Sequence, residues 1–167
     1  MNRAINDEAL DLIFRNARTF RQFRSDPITP QILMAVYDLM RLAPTANNCC
    51  PARILFVVSK QSKERLRPHL TKGNVEKTMN APATAIIGYD LAYYDYFPTL
   101  SPGRAMAREE AAQQSPDSFQ ETAFRNGTLQ GGYFIMAARA VGLDCGPMSG
   151  FDDAGVDKEF FSGTRVK

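Results

Sequence analysis

Apolar side chains recur at helical spacing in several stretches that are separated by turn residues. Residues 7–17 form a predicted amphipathic helix. Its apolar face consists of Leu10, Ile13 and Phe14. Thr29 and Pro30 suit the N-cap and first turn of a second helix. The apolar stripe of that helix consists of Leu33, Val36, Tyr37 and Met40. A short third helix is predicted over residues 60–69.

The longest predicted helix begins at Ser115, whose hydroxyl suits an N-cap ahead of Pro116. Gly131 and Gly132 lie inside this helix and lower its propensity. We expect the two glycines to permit the close approach of another helix. The side chains expected to face a core are Leu129, Tyr133, Met136, Ala137 and Ala140.

Two unbroken apolar runs, residues 54–58 and 83–89, are typical of strands that are covered on both faces. Helices alternate with these strands, which predicts an α/β or α+β fold. Two strands are too few for a sheet that is stable by itself. Further strands, from this chain or from another subunit, are therefore expected.

Residues 91–114 are the hardest stretch to assign. An aromatic cluster begins it, and Pro98, Pro102 and Gly103 then interrupt regular structure. The stretch is either a mobile cover over a substrate pocket or a packed surface loop. The packed loop is favoured, because loops with proline and glycine are common. The aromatic cluster consists of Tyr93, Tyr94, Tyr96 and Phe97.

The composition is that of one ordinary globular domain. The chain has 167 residues, of which 44% are hydrophobic and 23% are charged. A net charge of +2 is too small to indicate a nucleic-acid partner or a membrane surface. No apolar run is long enough to span a bilayer, and the N-terminus lacks a signal-peptide core. We therefore expect a cytoplasmic location.

Cysteine and histidine are too sparse to indicate a metal site or a thiol-based catalytic site. Of the three cysteines, Cys49 and Cys50 are adjacent, which indicates a reducing compartment rather than disulfides. His69 is the single histidine, and its basic neighbours predict a surface side chain. No metal site is expected, and no residue is singled out as catalytic by itself.

Three segments carry patterns that suit ligand binding. Residues 43–51, APTANNCCP, are a polar connector whose small residues admit a flat ligand and whose asparagines donate and accept. Residues 18–23, RTFRQF, combine arginines with a hydroxyl and suit a phosphate, although basic residues also favour helix C-termini. In residues 142–152, Gly142 fits an ordinary helix end. The turn in residues 146–150 is longer than a helix end needs and can aim N–H groups at a ligand.

These three segments resemble the flavin-contacting segments of the nitroreductase family. Residues 43–51 are similar to its Ala-Pro-Ser-Gly-x-Asn-x-Gln-Pro loop. Residues 18–23 are similar to its Arg-Arg-Ser-x-Arg-x-Phe signature, with Ala17 in place of the first arginine. Further stretches resemble the malonic semialdehyde reductase subgroup, which forms 3-hydroxypropionate in pyrimidine degradation. These stretches are residues 63–68, 73–74, 121–126 and 146–152.

The resemblance implies an FMN site at the interface of two subunits. Arg18 and Thr19 would hold the ribityl phosphate, and Arg21 would stabilise negative charge at the N1 and O2 edge of the reduced ring. The implied ring contacts from the other subunit are Pro44, Thr45, Ala46 and Asn48. The remaining implied contacts are Phe20, Asn74, and the three residues that frame N5, which are Met148, Ser149 and Gly150.

The implied fold is an α+β (α/β) sandwich in which helices flank a central sheet, within an intertwined homodimer. The resemblance runs from about Leu10 to the last residue, so residues 1–167 are expected to form a single nitroreductase-like domain. In the family a further strand and a basic tail follow the position of Lys167. We expect this domain to lack both.

The implied activity is FMN-dependent reduction of a small aldehyde, malonic semialdehyde, with NADH or NADPH as electron donor. Two alternatives stay open: a broad nitroaromatic or quinone reductase, and a non-catalytic flavin-binding or assembly protein. The sequence has no Gly-x-Gly-x-x-Gly turn that would indicate which nicotinamide is preferred.

Overall fold

The computed structural model describes residues 3–103, 107–113 and 115–167. Helix α1 (Asp7–Leu10) continues as a π-helical turn, Asp11–Arg15, so the predicted first helix ends before residue 17. Helix α2 (Pro30–Met40) begins where the sequence predicts, because the Thr29 side chain accepts a hydrogen bond from the backbone of Ile32.

The two predicted strands are confirmed as an antiparallel pair. Strand β1 (Ala52–Val57) begins two residues before the predicted run, and strand β2 is Thr84–Tyr89. In their register Ala52 lies opposite Tyr89 and Val57 lies opposite Thr84.

Two helices lie between the strands. Helix α3 (Lys60–Leu66) ends in a 3₁₀ turn, Arg67–His69, which together cover the predicted short helix. Helix α4 (Lys72–Asn80) was not predicted, because Gly73 and Asn74 in its first turn are poor helix formers.

The second half of the chain is mostly helical. A 3₁₀ turn, Tyr93–Tyr96, leads into helix α5 (Phe97–Leu100), and helix α6 (Ala107–Ala112) follows. The longest helix, α7 (Pro116–Ala140), has the predicted Ser115 N-cap. Helix α8 is Asp153–Phe160.

Helices cover both faces of the sheet, as the unbroken apolar strands predict. On one face Ala52 and Ile54 pack with side chains of α2 and α7, in a cluster around Val36 and Ala137. On the other face Val57 packs with side chains of α3 and α8 in a second cluster. The sheet is therefore the middle layer of an α/β sandwich.

The last residues of the chain extend the sheet edge. Val166 forms an antiparallel bridge with Asp90, and the backbones of Lys167 and Tyr89 exchange two hydrogen bonds. Gly88 is needed here, because a Cβ on it would lie 2.6 Å from Cγ1 of Val166.

Glycines in helix α7 allow it to pack closely against strand β2. A Cβ on Gly127 would lie 2.9 Å from Cβ of Tyr89, and a Cβ on Gly131 would touch Ile87 at 3.6 Å. A Cβ on Gly132 would meet open space in the protomer. Within the protomer the closest approach is therefore to a strand, at Gly127, and the approach of another helix at Gly131 and Gly132 stays a prediction.

Several predicted core positions are wrong. Of the α7 set only Ala137 is buried; Leu129 and Ala140 are exposed, and the buried positions also include polar residues. Phe14 is exposed in the first helix, and Tyr37 lies at the exposed margin of α2. The predicted helical spacing of the apolar residues was correct, but fewer of these residues are buried on each helix than predicted.

The stretch after β2 is packed, as favoured. Tyr93 and Phe97 are buried in a third core cluster with Cys49 and Ala123. Residues 104–106 and 114 of that stretch lie outside the described residues.

None of the helices in the described ranges has the length and apolarity needed to cross a lipid bilayer. Within the same ranges, no group of three or more His, Cys, Asp and Glu side chains could hold a metal ion.

Candidate functional site

The N-terminal basic segment lies against the glycine-rich turn, although the two are more than a hundred residues apart. The backbone N–H of Phe20 donates to the carbonyl of Cys145 at 3.1 Å. A Cβ on Gly146 would lie 2.5 Å from the carbonyl oxygen of Phe20, so only glycine fits at this crossing. Two of the three predicted ligand segments are thus neighbours in one protomer.

Asn74 joins the same turn. Its Nδ2 donates to the carbonyl of Gly150 at 2.7 Å, and Oγ1 of Thr71 donates to the same oxygen at 2.8 Å. The backbone N–H of Thr71 is a third donor to it, at 3.1 Å. On the same side, Thr78 donates to Sδ of Met148 at 3.4 Å. The carbonyl of Gly150 is fully engaged, so the orientation of the turn is fixed.

We call Phe20, Asn74, Met148, Ser149 and Gly150 the turn cluster. The peptide N–H of Gly150 has no hydrogen-bond acceptor among the described residues, and Ser149 is exposed. The cluster therefore has a backbone donor available among the described residues, and the binding of a ligand by the glycine-rich turn stays a prediction.

Two arginines beside the turn cluster are not neutralised. Arg15 pairs with Asp7 and Asp11, and Arg24 pairs with Asp26 at 2.6 Å. Within the described ranges Arg18 and Arg21 have no carboxylate partner, and both are exposed, as is Thr19. One nitrogen of Arg18 donates to the carbonyls of Arg15 and Ala17.

The segment Pro44–Asn48, which we call the asparagine loop, has an unusual backbone. Asn47, Asn48 and the adjacent Cys50 have φ values of 53°, 54° and 39°, in the left-handed region. Oγ1 of Thr45 accepts from the Cys50 backbone N–H at 3.1 Å, and Nδ2 of Asn48 donates to the carbonyl of Leu100. These bonds fix both ends of the loop, and Pro44 and Ala46 within it are exposed.

Two buried side chains of α7 form hydrogen bonds with the backbone of this loop and of the start of β1. Oδ1 of Asn126 accepts from the backbone N–H of Ala46 at 2.9 Å, and Oε1 of Gln130 accepts from that of Ala52 at 2.8 Å. Sequence reasoning missed both residues. Their signal is an amide every fourth residue within a helix that is otherwise expected to pack against a core.

A cleft of about 810 Å³ opens beside the asparagine loop. Ala46, Asn47 and Cys49 form one wall, and Tyr93 and Phe97 contribute aromatic surface. The remaining lining comes from α6 and α7 and includes Glu110, Thr122, Arg125, Asn126 and Gly132. Arg125 forms an ion pair with Glu121 one turn away. The cleft thus combines aromatic surface with both signs of charge.

Burial raises the pKa of two groups at this wall. Desolvation raises the pKa of the Cys49 thiol to about 11, which disfavours the thiolate at neutral pH. Burial also raises the pKa of the Tyr93 phenol. All three cysteines are free thiols. Cys49 packs with Tyr93, Phe97 and Ala123 in the third core cluster.

His69 does not lie on the surface as predicted. Its side chain is only 20% exposed, and Nδ1 lies 3.9 Å from Oδ2 of Asp152. Its backbone carbonyl accepts from the N–H of Asp152 at 2.7 Å, next to the glycine-rich turn.

The predicted site residues therefore form two groups. Arg18, Thr19 and Arg21 flank the turn cluster, and Pro44, Thr45, Ala46 and Asn48 lie on the asparagine loop. No hydrogen bond between described residues joins the two groups. A single protomer brings the first group together and presents the second group separately.

Comparison with known proteins identifies the family. The sequence profile described as the nitroreductase family matches residues 14–161. The chain belongs to the nitroreductase family.

Relatives of this nitroreductase-family chain agree in sequence and fold. A protein of Cupriavidus pinatubonensis, provisionally named NADH dehydrogenase/NAD(P)H nitroreductase, is 49% identical over 96% of this chain and 83% of its own length. A Stenotrophomonas maltophilia protein of the same provisional name is also 49% identical, over 100% of this chain and 84% of the relative.

A solved structure confirms the predicted nitroreductase-like sandwich. A nitroreductase, so named provisionally, of Exiguobacterium sibiricum was crystallised in complex with FMN. It superposes with a TM-score of 0.83 at 17% identity, over 99% of this chain and 86% of that one.

Proposed function

We propose that this nitroreductase-family protein is an FMN-dependent oxidoreductase that takes electrons from NADH or NADPH. The observation that carries the proposal is the assembly of Arg18–Arg21, Asn74 and the glycine-rich turn at one place. The hydrogen bonds from Phe20 to Cys145 and from Asn74 to Gly150 hold these segments together. Each of these segments also carries a motif that resembles a flavin contact of the family.

The donors present suit FMN. Arg18, Thr19 and Arg21 offer guanidinium and hydroxyl donors without a competing carboxylate among the described residues, which suits a phosphate dianion. The free N–H of Gly150 suits an acceptor atom of the ring. The amide nitrogen of Asn74 is engaged by Gly150, so its oxygen is the atom left to accept from a ligand.

The asparagine loop completes the site in our proposal by serving a second copy of the chain. Pro44, Thr45, Ala46 and Asn48 are held on α7, separate from the turn cluster. Their small side chains suit a flat ring approached from the opposite side. This division of the site between two groups supports a homodimer.

Bound FMN supplies two-electron transfer between the nicotinamide and an acceptor. The exposed guanidinium of Arg21 has no carboxylate partner among the described residues, so it can stabilise negative charge developing on a bound group. The turn cluster orients the ligand, because Thr71 and Asn74 fix the Gly150 peptide. No acid–base triad is required of this chain.

The acceptor we propose is a small aldehyde, malonic semialdehyde, reduced to 3-hydroxypropionate in pyrimidine degradation. Residues 63–68, 73–74, 121–126 and 146–152 support this subgroup by resemblance. Arg125 lies in the cleft beside the asparagine loop and is paired with the exposed Glu121, so a carboxylate substrate would compete with Glu121 for its guanidinium. The second candidate is a nitroaromatic or quinone, which is favoured by the names of the relatives and by the aromatic surface of Tyr93 and Phe97.

Spectroscopy and turnover test the function. We expect purified protein, supplied with FMN, to bind it with visible flavin absorption and to oxidise NADH or NADPH when an acceptor is added. Faster turnover of malonic semialdehyde than of nitrobenzene or menadione would support the aldehyde. The reverse order would support the second candidate. A yellow protein that is inert with every acceptor would overturn the enzyme assignment and leave a flavin-binding protein.

A matched pair of arginine variants tests the site. Arg21→Ala removes one charge-assisted contact and should raise the FMN dissociation constant about 10- to 100-fold. Arg24→Ala, three residues away and paired with Asp26, should leave it within threefold of the wild type. Fluorescence titration of the apoprotein with FMN measures both. Equal effects from the two variants would contradict the assigned role of Arg21.

A further inference from the structure

Side chains on one face of α7 form hydrogen bonds with the backbone of the asparagine loop and of strand β1, which follows it. Asn126 and Gln130, four residues apart, accept from the N–H groups of Ala46 and Ala52. Tyr133, three residues further, donates from its hydroxyl to the carbonyl of Pro44 at 3.1 Å. Side chains at this spacing project from the same face of a helix.

Asn126 is the most constrained of the three. It is only 4% exposed, and both ends of its amide are engaged. Nδ2 donates to the carbonyl of Thr122 at 2.9 Å, while Oδ1 accepts from Ala46 at 2.9 Å. A flipped amide would face a donor with a donor and an acceptor with an acceptor. The side chain therefore has one orientation and defines the position of the Ala46 peptide.

The residues that follow Ala46 depend on that anchor. Ala46 begins the 3₁₀ turn Ala46–Asn48, in which Asn47 and Asn48 take left-handed backbone conformations. Asparagine tolerates such conformations better than other residues with a side chain, but it still populates them most when its surroundings fix the backbone. A buried hydrogen bond at the first residue of the turn provides one such constraint.

We propose that Asn126 is a positioning residue for flavin binding, acting through Ala46 and without touching the flavin. This inference rests on the proposed function, because the asparagine loop is there assigned to the flavin of a second copy. Loss of the Oδ1 acceptor releases the Ala46 peptide, and the loop no longer presents its small residues in one arrangement.

Two substitutions of similar volume distinguish the effect of the hydrogen-bond acceptor of Asn126 from the effect of its packing. Asn126→Asp keeps an oxygen facing Ala46 and, as the neutral acid that burial favours, keeps a donor facing the Thr122 carbonyl. Asn126→Leu keeps the approximate volume and removes both groups. Thr128→Val is the matched control, since Thr128 is on the same helix and lines the cleft but forms no hydrogen bond to the loop among the described residues. Asn126→Ser, too short to reach Ala46, replaces the leucine variant if that variant does not fold.

The first measurement needs no flavin. In the apoprotein we expect the exchange of the Ala46 amide proton, followed by NMR, to accelerate at least tenfold in Asn126→Leu. In Asn126→Asp and Thr128→Val it should stay within threefold of the wild type. Unchanged exchange in Asn126→Leu and in Asn126→Ser would overturn the anchoring of the loop.

The second measurement concerns FMN itself. We expect about a tenfold higher FMN dissociation constant in Asn126→Leu, with a shifted absorption spectrum and midpoint potential at saturating FMN. Asn126→Asp should restore all three. Faster exchange with unchanged flavin affinity, spectrum and potential would overturn the link from the loop to the flavin. Failure of the wild type to bind FMN would instead remove the proposed function, and the exchange data would still decide whether Asn126 fixes the loop.

Discussion

Asp95 connects two distant parts of the chain through one carboxylate. Its Oδ2 accepts from Arg165 at 2.8 Å, and its Oδ1 accepts from Arg108 at 3.1 Å. The hydrogen bond from Arg165, and then that from Arg108, hold the pKa of this carboxyl below its usual range. Because Arg165 precedes the residues that bridge to the edge of β2, Asp95 ties that edge to α6.

We expect Asp95→Asn to destabilise the protein in a pH-dependent way. The carboxyl pKa is lower in the folded than in the unfolded chain, so its contribution is complete above the unfolded value of about 4. The contribution disappears as the pH falls through the lower, folded value. At pH 7 the variant should lose up to about 1 kcal/mol of unfolding free energy, because the group is partly exposed.

Urea unfolding at a series of pH values measures this difference. The gap between the wild type and Asp95→Asn should narrow steadily as the pH falls below about 4. Asp144→Asn is the control, since Asp144 is exposed and has no ion pair among the described residues. A gap that is independent of pH would contradict the electrostatic explanation.

At the scale of elements, the contact between α7 and β2 depends on a missing side chain. Gly127→Ala would place a methyl group 2.9 Å from Cβ of Tyr89, next to the strand backbone, where neither element can move cheaply. We expect it to destabilise the fold by about 1–3 kcal/mol, despite the better helix propensity of alanine.

Gly132→Ala is the matched substitution on the same helix. Its methyl group would meet open space, so the propensity gain of up to about 1 kcal/mol should be retained. Thermal or denaturant unfolding of the two variants should therefore give opposite signs. Stabilisation by both would show that the crossing tolerates a side chain at Gly127.

The sequence predicted the elements whose signals are local. Thr29 with Pro30, and Ser115 with Pro116, determine helix starts by capping, and the apolar runs determine the strands. Helix α4 escaped prediction, because its Gly73 and Asn74 disfavour a helix that tertiary contacts nonetheless stabilise.

Sequence motifs predicted only those parts of the candidate site that we propose to face a ligand. Motif residues such as Arg21 and Gly150 are recognisable from their type alone, because a guanidinium suits an anion and a glycine exposes its backbone N–H. The supports, Asn126 and Gln130, are ordinary amides in a helix, and their function depends on which backbone lies opposite. The spacing of the two amides is visible in the sequence, but their backbone partners, Ala46 and Ala52, are about 80 residues away and are brought opposite them only by the fold.

At the scale of the molecule, many large apolar side chains in and around the first two helices are exposed. They include Leu12, Phe14, Met34, Leu39 and Leu42, the last being 76% exposed. A single exposed apolar side chain is ordinary, but several of them in two neighbouring stretches of chain fit a protein interface. The homodimer proposed for the flavin site would cover them.

We expect the wild type to sediment at twice the chain mass of 18.6 kDa. Introducing two charges with Leu39→Glu and Leu42→Glu should shift it to the monomer at micromolar concentration, because buried carboxylates lack partners there. Val58→Glu, at an exposed apolar position just after β1, is the control and should remain dimeric. A wild-type monomer in analytical ultracentrifugation would contradict this prediction.

The left-handed backbone in and next to the asparagine loop limits which amino acids can replace the residues there. At Asn47, Asn48 and Cys50 a valine or isoleucine would be disfavoured by its own backbone, before any ligand is considered. Glycine and aspartate are the tolerated replacements there. Variation in acceptor preference should therefore accumulate on the opposite wall of the cleft, around Tyr93 and Thr122, where the backbone imposes no such restriction.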